Sequence, residues 1–222
     1  MVLFIILAKS KKFKYMSTAI KLNLINRSND QNNSEIVIFS KNVATDVEET
    51  AIAWTVVKYL GQGAHHPFTY PMDSAASAVD SYGNYLPQLM ANPGEAFHVI
   101  RDTSGDVIAK FGEATSQNEI QVRNDLPQGA IDALIYKDGK LFTQKTGVAP
   151  GQMAVFEFKP TIWIGVVSEV EQGQVMDAAI ISTVNTELSL LGIASADIIM
   201  TGGGPGRSAT PFSFTLENVV MA

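Results

Sequence analysis

Two adjacent histidines stand out among the residues that could do chemistry. His65 and His66 lie in GAHHPFTYPMD (63–73), and His98 in AFHVI completes the three histidines of the 222-residue chain. The chain has no cysteine, which excludes disulfides, thiol catalysis and cysteine-ligated metal. Imidazole chemistry, whether proton transfer or metal binding, therefore has to use one of these three side chains.

The residues around the pair argue against a metal ion shared by His65 and His66. Pro67 favours an extended conformation for the residue before it, and successive side chains on a strand point to opposite faces. A metal site would need His98 and an acidic residue to join one of the pair through tertiary contact. Three interpretations stay open: histidines at a strand entry without a ligand, a metal-dependent enzyme, or a patch of His65, Phe68 and Tyr70 that binds a sugar or a small ring.

A second group of polar and aromatic side chains occupies DSYGNY (80–85). Asp80 and Asn84 have side chains that stabilise turns by accepting hydrogen bonds from nearby backbone N–H groups. Tyr82 and Tyr85 offer apolar rings with a polar hydroxyl, a combination suited to sugars. The loop predicts either a turn without a ligand or a binding site formed by these four residues. Its acidic residues lack the spacing of an EF-hand.

The remaining motifs point away from catalysis. The glycine-rich segment MTGGGPGRSATP (200–211) lacks the lysine and the following helix of a phosphate-binding loop. It is expected to be a turn between the last two strands, with a surface site at 203–208 left open. No G-x-S-x-G sequence marks an activated serine. We therefore predict no catalytic residue and no cofactor, and the sequence leans against an enzyme.

Composition and charge are those of a globular protein. The chain is 46% hydrophobic and 17% charged, with a net charge of −6. An acidic chain without clustered lysine or arginine argues against a nucleic-acid partner.

From residue 18 onward, apolar and polar residues alternate in short runs separated by turn residues, which is typical of β-strands. Such runs recur about every 8–12 residues, as in sandwiches. Two hairpins are clear: 95–111, which turns at Thr103–Asp106, and 132–144, where Asp138-Gly139 favours a type I′ turn. Further strands are predicted at 19–26, 35–40, 53–60, 72–79, 153–160, 161–170, 196–203 and 211–219. The pattern predicts an all-β, single-domain antiparallel β-sandwich of jelly-roll-like form.

One stretch departs from this pattern. Met176, Ile180, Val184 and Leu188 lie four residues apart, which suits one face of a helix. The same stretch is rich in β-branched residues, which favour strands. We predict a short helix near 174–182 and a strand at 183–191.

The first residues differ in character from the rest. VLFIILA (2–8) is followed by KSKKFK, whereas a secretory signal has its basic residues first. The apolar run is also far shorter than the roughly twenty residues that cross a bilayer. We expect residues 1–15 to be an apolar and basic extension outside the fold, and residues 16–222 to form the sandwich domain. With no recognisable signal peptide or transmembrane helix, the protein is expected to be cytoplasmic or released by a non-classical route.

STAIKLNLINRSN (17–29) followed by IVIFSKN (36–42) resembles small β-sandwich cytolysins of the actinoporin-like and aegerolysin-like kinds. In those proteins an N-terminal strand is also followed by a polar turn and another strand. The resemblance implies a β-sandwich. It carries no functional residue, because Trp54 and Trp163 lie in predicted strands and form no membrane-binding cluster with tyrosine.

The missing catalytic motifs and the polar, aromatic loops favour a non-catalytic β-sandwich protein that binds a carbohydrate or small molecule, or assembles into a homo-oligomer. The first alternative is a membrane-active, pore-forming β-protein, with 53–60 and 161–170 as the strands that would insert. A membrane is an expected partner only in this alternative. The second is a metal-dependent enzyme built on two histidines and a carboxylate. The predicted ligand-binding residues are Asp80, Tyr82, Asn84, Tyr85 and His65.

A strand at 72–79 would be about 26 Å long. Its ends should therefore lie on opposite rims of the sandwich, which separates the loop at 63–73 from the loop at 80–88. A site is expected to use one rim only, with Tyr82 and Tyr85 rather than His65.

Overall fold

The computed structural model describes residues 19–31, 34–44, 51–184 and 186–222. The chain is nearly all β, with 57% strand and 5% helix, which confirms the predicted fold class. The described strands are β1 (Ile20–Asn26), β2 (Glu35–Phe39), β3 (Thr55–Val57), β4 (His65–Tyr70), β5 (Ser74–Val79), β6 (Leu89–Ala91), β7 (Glu95–Asp102), β8 (Gly105–Glu113), β9 (Glu119–Asn124), β10 (Ile131–Lys137), β11 (Lys140–Val148), β12 (Met153–Glu157), β13 (Thr161–Val167), β14 (Thr186–Ser189), β15 (Ile193–Gly203) and β16 (Thr210–Met221).

These strands form four sheets of four strands each. Their orders are β16-β15-β1-β4 in sheet 1, β14-β13-β2-β3 in sheet 2, β11-β10-β5-β6 in sheet 3 and β12-β9-β7-β8 in sheet 4. Two pairs, β1 with β15 and β7 with β9, are parallel, and the other described pairs are antiparallel. Each parallel pair joins strands that are separated by other elements, because a parallel connection needs a crossover.

The sheets pack in two pairs around separate apolar clusters. Sheets 1 and 2 enclose one cluster, with Leu24 and Ile164 at its centre. Sheets 3 and 4 enclose another, with Phe97 and Ile135. The second sheet pair (74–157) lies in the sequence between the two halves of the first (20–70 and 161–221), and Phe158 packs against both clusters. The sandwich-like fold is confirmed, and the assignment of residues 16–222 to one domain stays a prediction.

The tip of the β10–β11 hairpin joins the two sheet pairs. Asp138 and Gly139 have φ angles of 53° and 69°, the two positive values that a type I′ turn requires. Beyond the turn, Phe142 reaches into the first cluster, where its ring packs in a T-shaped arrangement with Trp54, the ring centres being 5.6 Å apart. Trp54 Nε1 donates a hydrogen bond to the carbonyl of Lys137 over 3.3 Å.

Two predicted strands are shorter than expected, and a residue with a positive φ lies two positions past the end of each. Strand β3 covers only 55–57 of the predicted 53–60, and β13 ends at Val167 instead of residue 170. Tyr59 and Glu169 both have a φ of 58°. A residue in this left-handed region departs from the extended conformation of a strand.

The helix α1 (Ala178–Thr183) confirms the short helix predicted near 174–182, although it begins four residues later. Asp177 caps it by accepting a hydrogen bond from the N–H of Ile180 over 2.8 Å. Met176 and Val184 on either side are buried against the outer face of sheet 2. The strand predicted at 183–191 is the shorter β14.

The glycine-rich segment is the predicted turn between the last two strands, with a 3₁₀ turn at Gly206–Ser208. Within the described ranges, no helix has the length and apolar character needed to cross a bilayer. The extension predicted at 1–15 lies outside the described residues.

Candidate ligand-binding surface

The loop that follows β5 is fixed by the carboxylate of Asp80. Asp80 Oδ1 accepts hydrogen bonds from the N–H groups of Tyr82 (2.8 Å) and Asn84 (2.9 Å), and Oδ2 accepts one from Asn84 Nδ2 (2.8 Å). The bond from the Asn84 side chain, together with those from the backbone, lowers the pKa of Asp80. Gly83, with a φ of 84°, supplies the left-handed residue of this turn. Asp80 and Asn84 thus hold the loop in one shape.

The same loop presents two tyrosines to solvent. Tyr82 is 75% exposed and Tyr85 is 73% exposed, whereas Leu86 is buried in the second apolar cluster. The N–H of Leu86 donates to the carbonyl of Ala78 over 2.9 Å, which anchors the end of the loop on β5. Neither tyrosine belongs to the core, and both are held by a backbone that is anchored on each side.

The tyrosines continue onto the outer face of sheet 3. Ala75 pairs with Met90 on β6 and with Tyr136 on β10, and cross-strand partners point to the same face. Met90 is 65% exposed. Burial raises the pKa of Tyr136, and Tyr85 raises it further. Tyr85 pairs with Val79, four residues along β5 from Ala75 and on the same face of the sheet. We call Tyr82, Tyr85, Tyr136 and Met90 the tyrosine surface.

A charged pair on β7 and β8 of sheet 4 interacts electrostatically with the loop. Arg101 on β7 binds the carboxylate of Asp106 with two hydrogen bonds, from Nε to Oδ1 (2.7 Å) and from Nη2 to Oδ2 (3.0 Å). The bonds to Asp106 raise the pKa of Arg101, with smaller contributions from Tyr82 and Asp80. The guanidinium therefore lies within electrostatic range of Tyr82, while two of its nitrogens bind Asp106.

His65, the other predicted binding residue, lies elsewhere. It is on β4 at the edge of sheet 1, with its Nδ1 3.3 Å from Asn23 Nδ2. Asn23 and Asn218 both donate to Asp197, over 3.0 and 2.7 Å. These bonds, with Asn218 contributing most, lower the pKa of Asp197. His65 therefore lies in the first sheet pair, whereas the loop that carries Tyr82 and Tyr85 joins β5 and β6 of sheet 3.

The histidines do not assemble a metal centre. Cross-strand pairing places His65 beside Ile25 and His66 beside the fully buried Leu24, so the two rings face opposite sides as the alternation predicts. Burial and the positive charge of Lys140 lower the pKa of His66. In the parts of the chain that the structure describes, no three His, Asp or Glu side chains could hold a metal ion together.

His98 lies on sheet 4, away from the other histidines. Its Nδ1 is 3.0 Å from Asp125 Oδ2, which also accepts a hydrogen bond from Arg123 over 2.7 Å. The bond from Arg123 lowers the pKa of Asp125, and the bond to His98 lowers it further. The carboxylate nearest to His98 is therefore held by a guanidinium, which disfavours its use as a metal ligand.

Sequence reasoning missed two members of the tyrosine surface, Tyr136 and Met90. In β10, Ile131, Ala133 and Ile135 point inward, and the intervening positions Leu134 and Tyr136 are also apolar or aromatic. A strand that is apolar on both faces needs a cover on its outer face. That signal was present in the sequence.

Sequence reasoning also missed a pocket between the sheet pairs, which we call the Lys137 pocket. Its volume is about 60 Å³. The exposed residues Met72, Pro93 and Asn118 line it, and so do Tyr70 and Lys137, which are only 1% and 4% exposed. It therefore runs from the surface to a buried amine and a buried phenol.

The chain shows no significant match to any protein-family model, curated protein or solved structure. The function therefore has to be argued from the tyrosine surface itself.

Proposed function

We propose that this protein is a non-catalytic β-sandwich protein that binds carbohydrate on the tyrosine surface. The observation that carries the proposal is the exposure of Tyr82 and Tyr85, at 75% and 73%, on a loop that Asp80 holds in one shape. A cluster of exposed aromatic side chains on a rigid support is typical of a recognition surface.

The chemistry of the surface suits a sugar better than a purely apolar ligand. A pyranose ring has an apolar C–H face that stacks on an aromatic ring, and hydroxyls at its rim that need hydrogen-bonding partners. Tyr82 and Tyr85 supply both the ring and the phenolic hydroxyl. The guanidinium of Arg101 lies within electrostatic range of Tyr82. Tyrosine also loses little side-chain entropy on binding because it has only two χ angles.

A glycan array tests the proposal directly. The wild-type protein and the Tyr82→Ala/Tyr85→Ala variant are applied in parallel, and any glycan bound by the wild type is then titrated by calorimetry. We expect at least one glycan to bind the wild type and to lose its signal with the double variant. Tyr59→Ala is the matched control, because Tyr59 is 82% exposed and follows β3 in the first sheet pair.

Two outcomes contradict carbohydrate binding. One is an array on which the wild type and the double variant give the same pattern. The other is a concentration-dependent oligomer, seen by size-exclusion chromatography with light scattering, that the double variant abolishes. The second result would assign the tyrosine surface to self-assembly.

A further inference from the structure

Lys137 is a buried cation without a buried anion beside it. Lys137 is the last residue of β10 and is 4% exposed. Among the described residues no carboxylate forms an ion pair with its Nζ. Lysine is almost never fully buried unless it is paired. Burial lowers the pKa of Lys137 to about 8, against a smaller opposing effect of Asp73.

Backbone carbonyls and aromatic rings provide some of the interactions that the buried Lys137 ammonium needs. Nζ donates to the carbonyls of Pro71 over 2.8 Å and Met72 over 3.3 Å, and it lies 5.1 Å from the ring centre of Tyr70 and 5.3 Å from that of Phe142. An ammonium has three N–H donors. The third has no acceptor among the described residues, and the Lys137 pocket adjoins the amine.

The pocket has the groups that an anion needs. Besides the ammonium, it is lined by the hydroxyl-bearing Tyr70 and Ser74 and by the amide-bearing Asn118. Burial raises the pKa of Tyr70 to about 12, against the smaller opposing effect of a hydrogen bond with Ser40, so its phenol stays protonated and adds no negative charge to the pocket. The rest of the lining is largely apolar, including Phe156 and Phe158, which suits a short alkyl group.

We propose that the Lys137 pocket binds a small aliphatic monocarboxylate, whose carboxylate pairs with the Lys137 ammonium. The pocket volume of about 60 Å³ limits the size of the ligand. One water needs about 10–15 Å³ and a dry cavity of about 150 Å³ accepts benzene, so formate or acetate fits and an aromatic acid does not. This site is separate from the tyrosine surface and does not rest on the proposed carbohydrate binding.

Thermal unfolding at neutral pH provides the first test. Sodium formate, acetate, benzoate and chloride are compared at equal ionic strength, with acetamide as a neutral analogue of acetate. A ligand that binds only the folded state raises Tm with its concentration. We expect formate and acetate to raise Tm above the chloride value, and benzoate and acetamide to leave it unchanged.

The second test observes Lys137 itself. An anion that pairs with the ammonium raises its pKa, so acetate should shift the pH titration of the Lys137 Nζ signal, followed by NMR in the wild-type protein, to higher pH. The acetate effect on Tm should vanish in Lys137→Met and persist in Lys110→Met, since Lys110 is an exposed lysine paired with Glu95. If Lys137→Met does not fold, Met72→Trp serves instead by filling the mouth of the pocket.

Three results would overturn the proposal. Acetate could leave both Tm and the Lys137 titration unchanged. Acetamide could stabilise the protein as much as acetate, which would show that the charge is not recognised. Lys137→Met or Met72→Trp could retain the full effect of acetate, which would place the bound anion elsewhere.

Discussion

Lys137 Nζ donates a hydrogen bond to the backbone carbonyl of Pro71 over 2.8 Å. This bond ties the end of β10, in sheet 3, to the connection that leads from β4 in sheet 1 to β5 in sheet 3. The amine is buried, so its charge is held at the junction of the two sheet pairs and away from water. The protonation of Lys137 is therefore coupled to the stability of the fold.

This coupling has a definite sign. Burial lowers the pKa of Lys137 to about 8 from an ordinary value of 10.5, so between these two pH values the unfolded chain binds more protons than the folded protein. The contribution of Lys137 to the free energy of unfolding should rise with pH from about 8 towards 10.5, by up to about 1.4 kcal/mol per pH unit. Below about 8 both states are protonated and the contribution is constant.

Urea unfolding across this pH range measures the effect. The free energy of unfolding of Lys137→Met should rise less steeply with pH than that of the wild type. Lys110→Met should keep the wild-type slope, because Lys110 is exposed and paired with Glu95. Equal slopes for wild type and Lys137→Met would show that Lys137 does not titrate in this window.

The tyrosine surface predicts a separation of binding from stability. Replacing Tyr82 and Tyr85 by alanine should reduce carbohydrate affinity by about tenfold or more, as expected for aromatic anchors. Because both side chains are largely exposed, Tm should fall by no more than a few degrees. Calorimetric titration and thermal unfolding of the same samples check this. A large loss of Tm without loss of binding would mean that the tyrosines support the fold.

Much of the fold could be predicted because its signals are local. The Asp138-Gly139 turn and the alternating runs on either side identify the β10–β11 hairpin from adjacent residues. Strand β9 was missed because neither of its partners is its neighbour in the sequence: β8 separates it from β7, and the β10–β11 hairpin separates it from β12. Tyr59 and Glu169 have positive φ angles just past the ends of β3 and β13, and neither residue type signals such a conformation in the sequence.

The difference between local signals and long-range pairing also decides which functional residues could be predicted. The turn at Asp80 is readable because an aspartate and an asparagine flank a glycine within a few residues. Tyr136 and Met90 share a face of sheet 3 with Tyr85 only through the register of β5 with its neighbours. Lys137 precedes a hairpin turn, where a lysine usually contacts water. Its burial depends on the first sheet pair packing over the hairpin tip, which no local pattern encodes.

The hydrogen bonds that Asp80 accepts hold the loop in one shape, and we predict that carbohydrate binding depends on this order. Asp80→Ala removes both acceptor oxygens, whereas Asp80→Asn keeps one. The N–H groups of Tyr82 and Asn84 should exchange with solvent faster in Asp80→Ala than in Asp80→Asn, as followed by hydrogen exchange. Carbohydrate affinity should fall in the same order, by up to about tenfold. Unchanged exchange at both amides would argue that Asp80 does not fix the loop.

Gly165 offers a last prediction, on the packing of α1 against sheet 2. A Cβ atom at Gly165 would lie 2.9 Å from Val184 Cγ1, closer than real Cβ atoms approach, and 3.0 Å from Val184 Cα, which is tighter than most real Cβ contacts. Gly165→Ala should therefore lower the free energy of unfolding by about 1–3 kcal/mol, the usual cost of overpacking. Gly61→Ala is the control, because a Cβ there meets nothing within 4 Å.

A second substitution separates the two contacts at Gly165. Val184→Ala removes Cγ1 but leaves the backbone Cα in place, so in that background Gly165→Ala should cost less than in the wild type but should still destabilise the protein. Urea unfolding of the two single variants and the double variant gives the coupling free energy. If Gly165→Ala cost the same in both backgrounds, the clash would lie with the backbone alone. If it cost nothing in either, the segment at Val184 would not pack as closely on β13 as the structure shows.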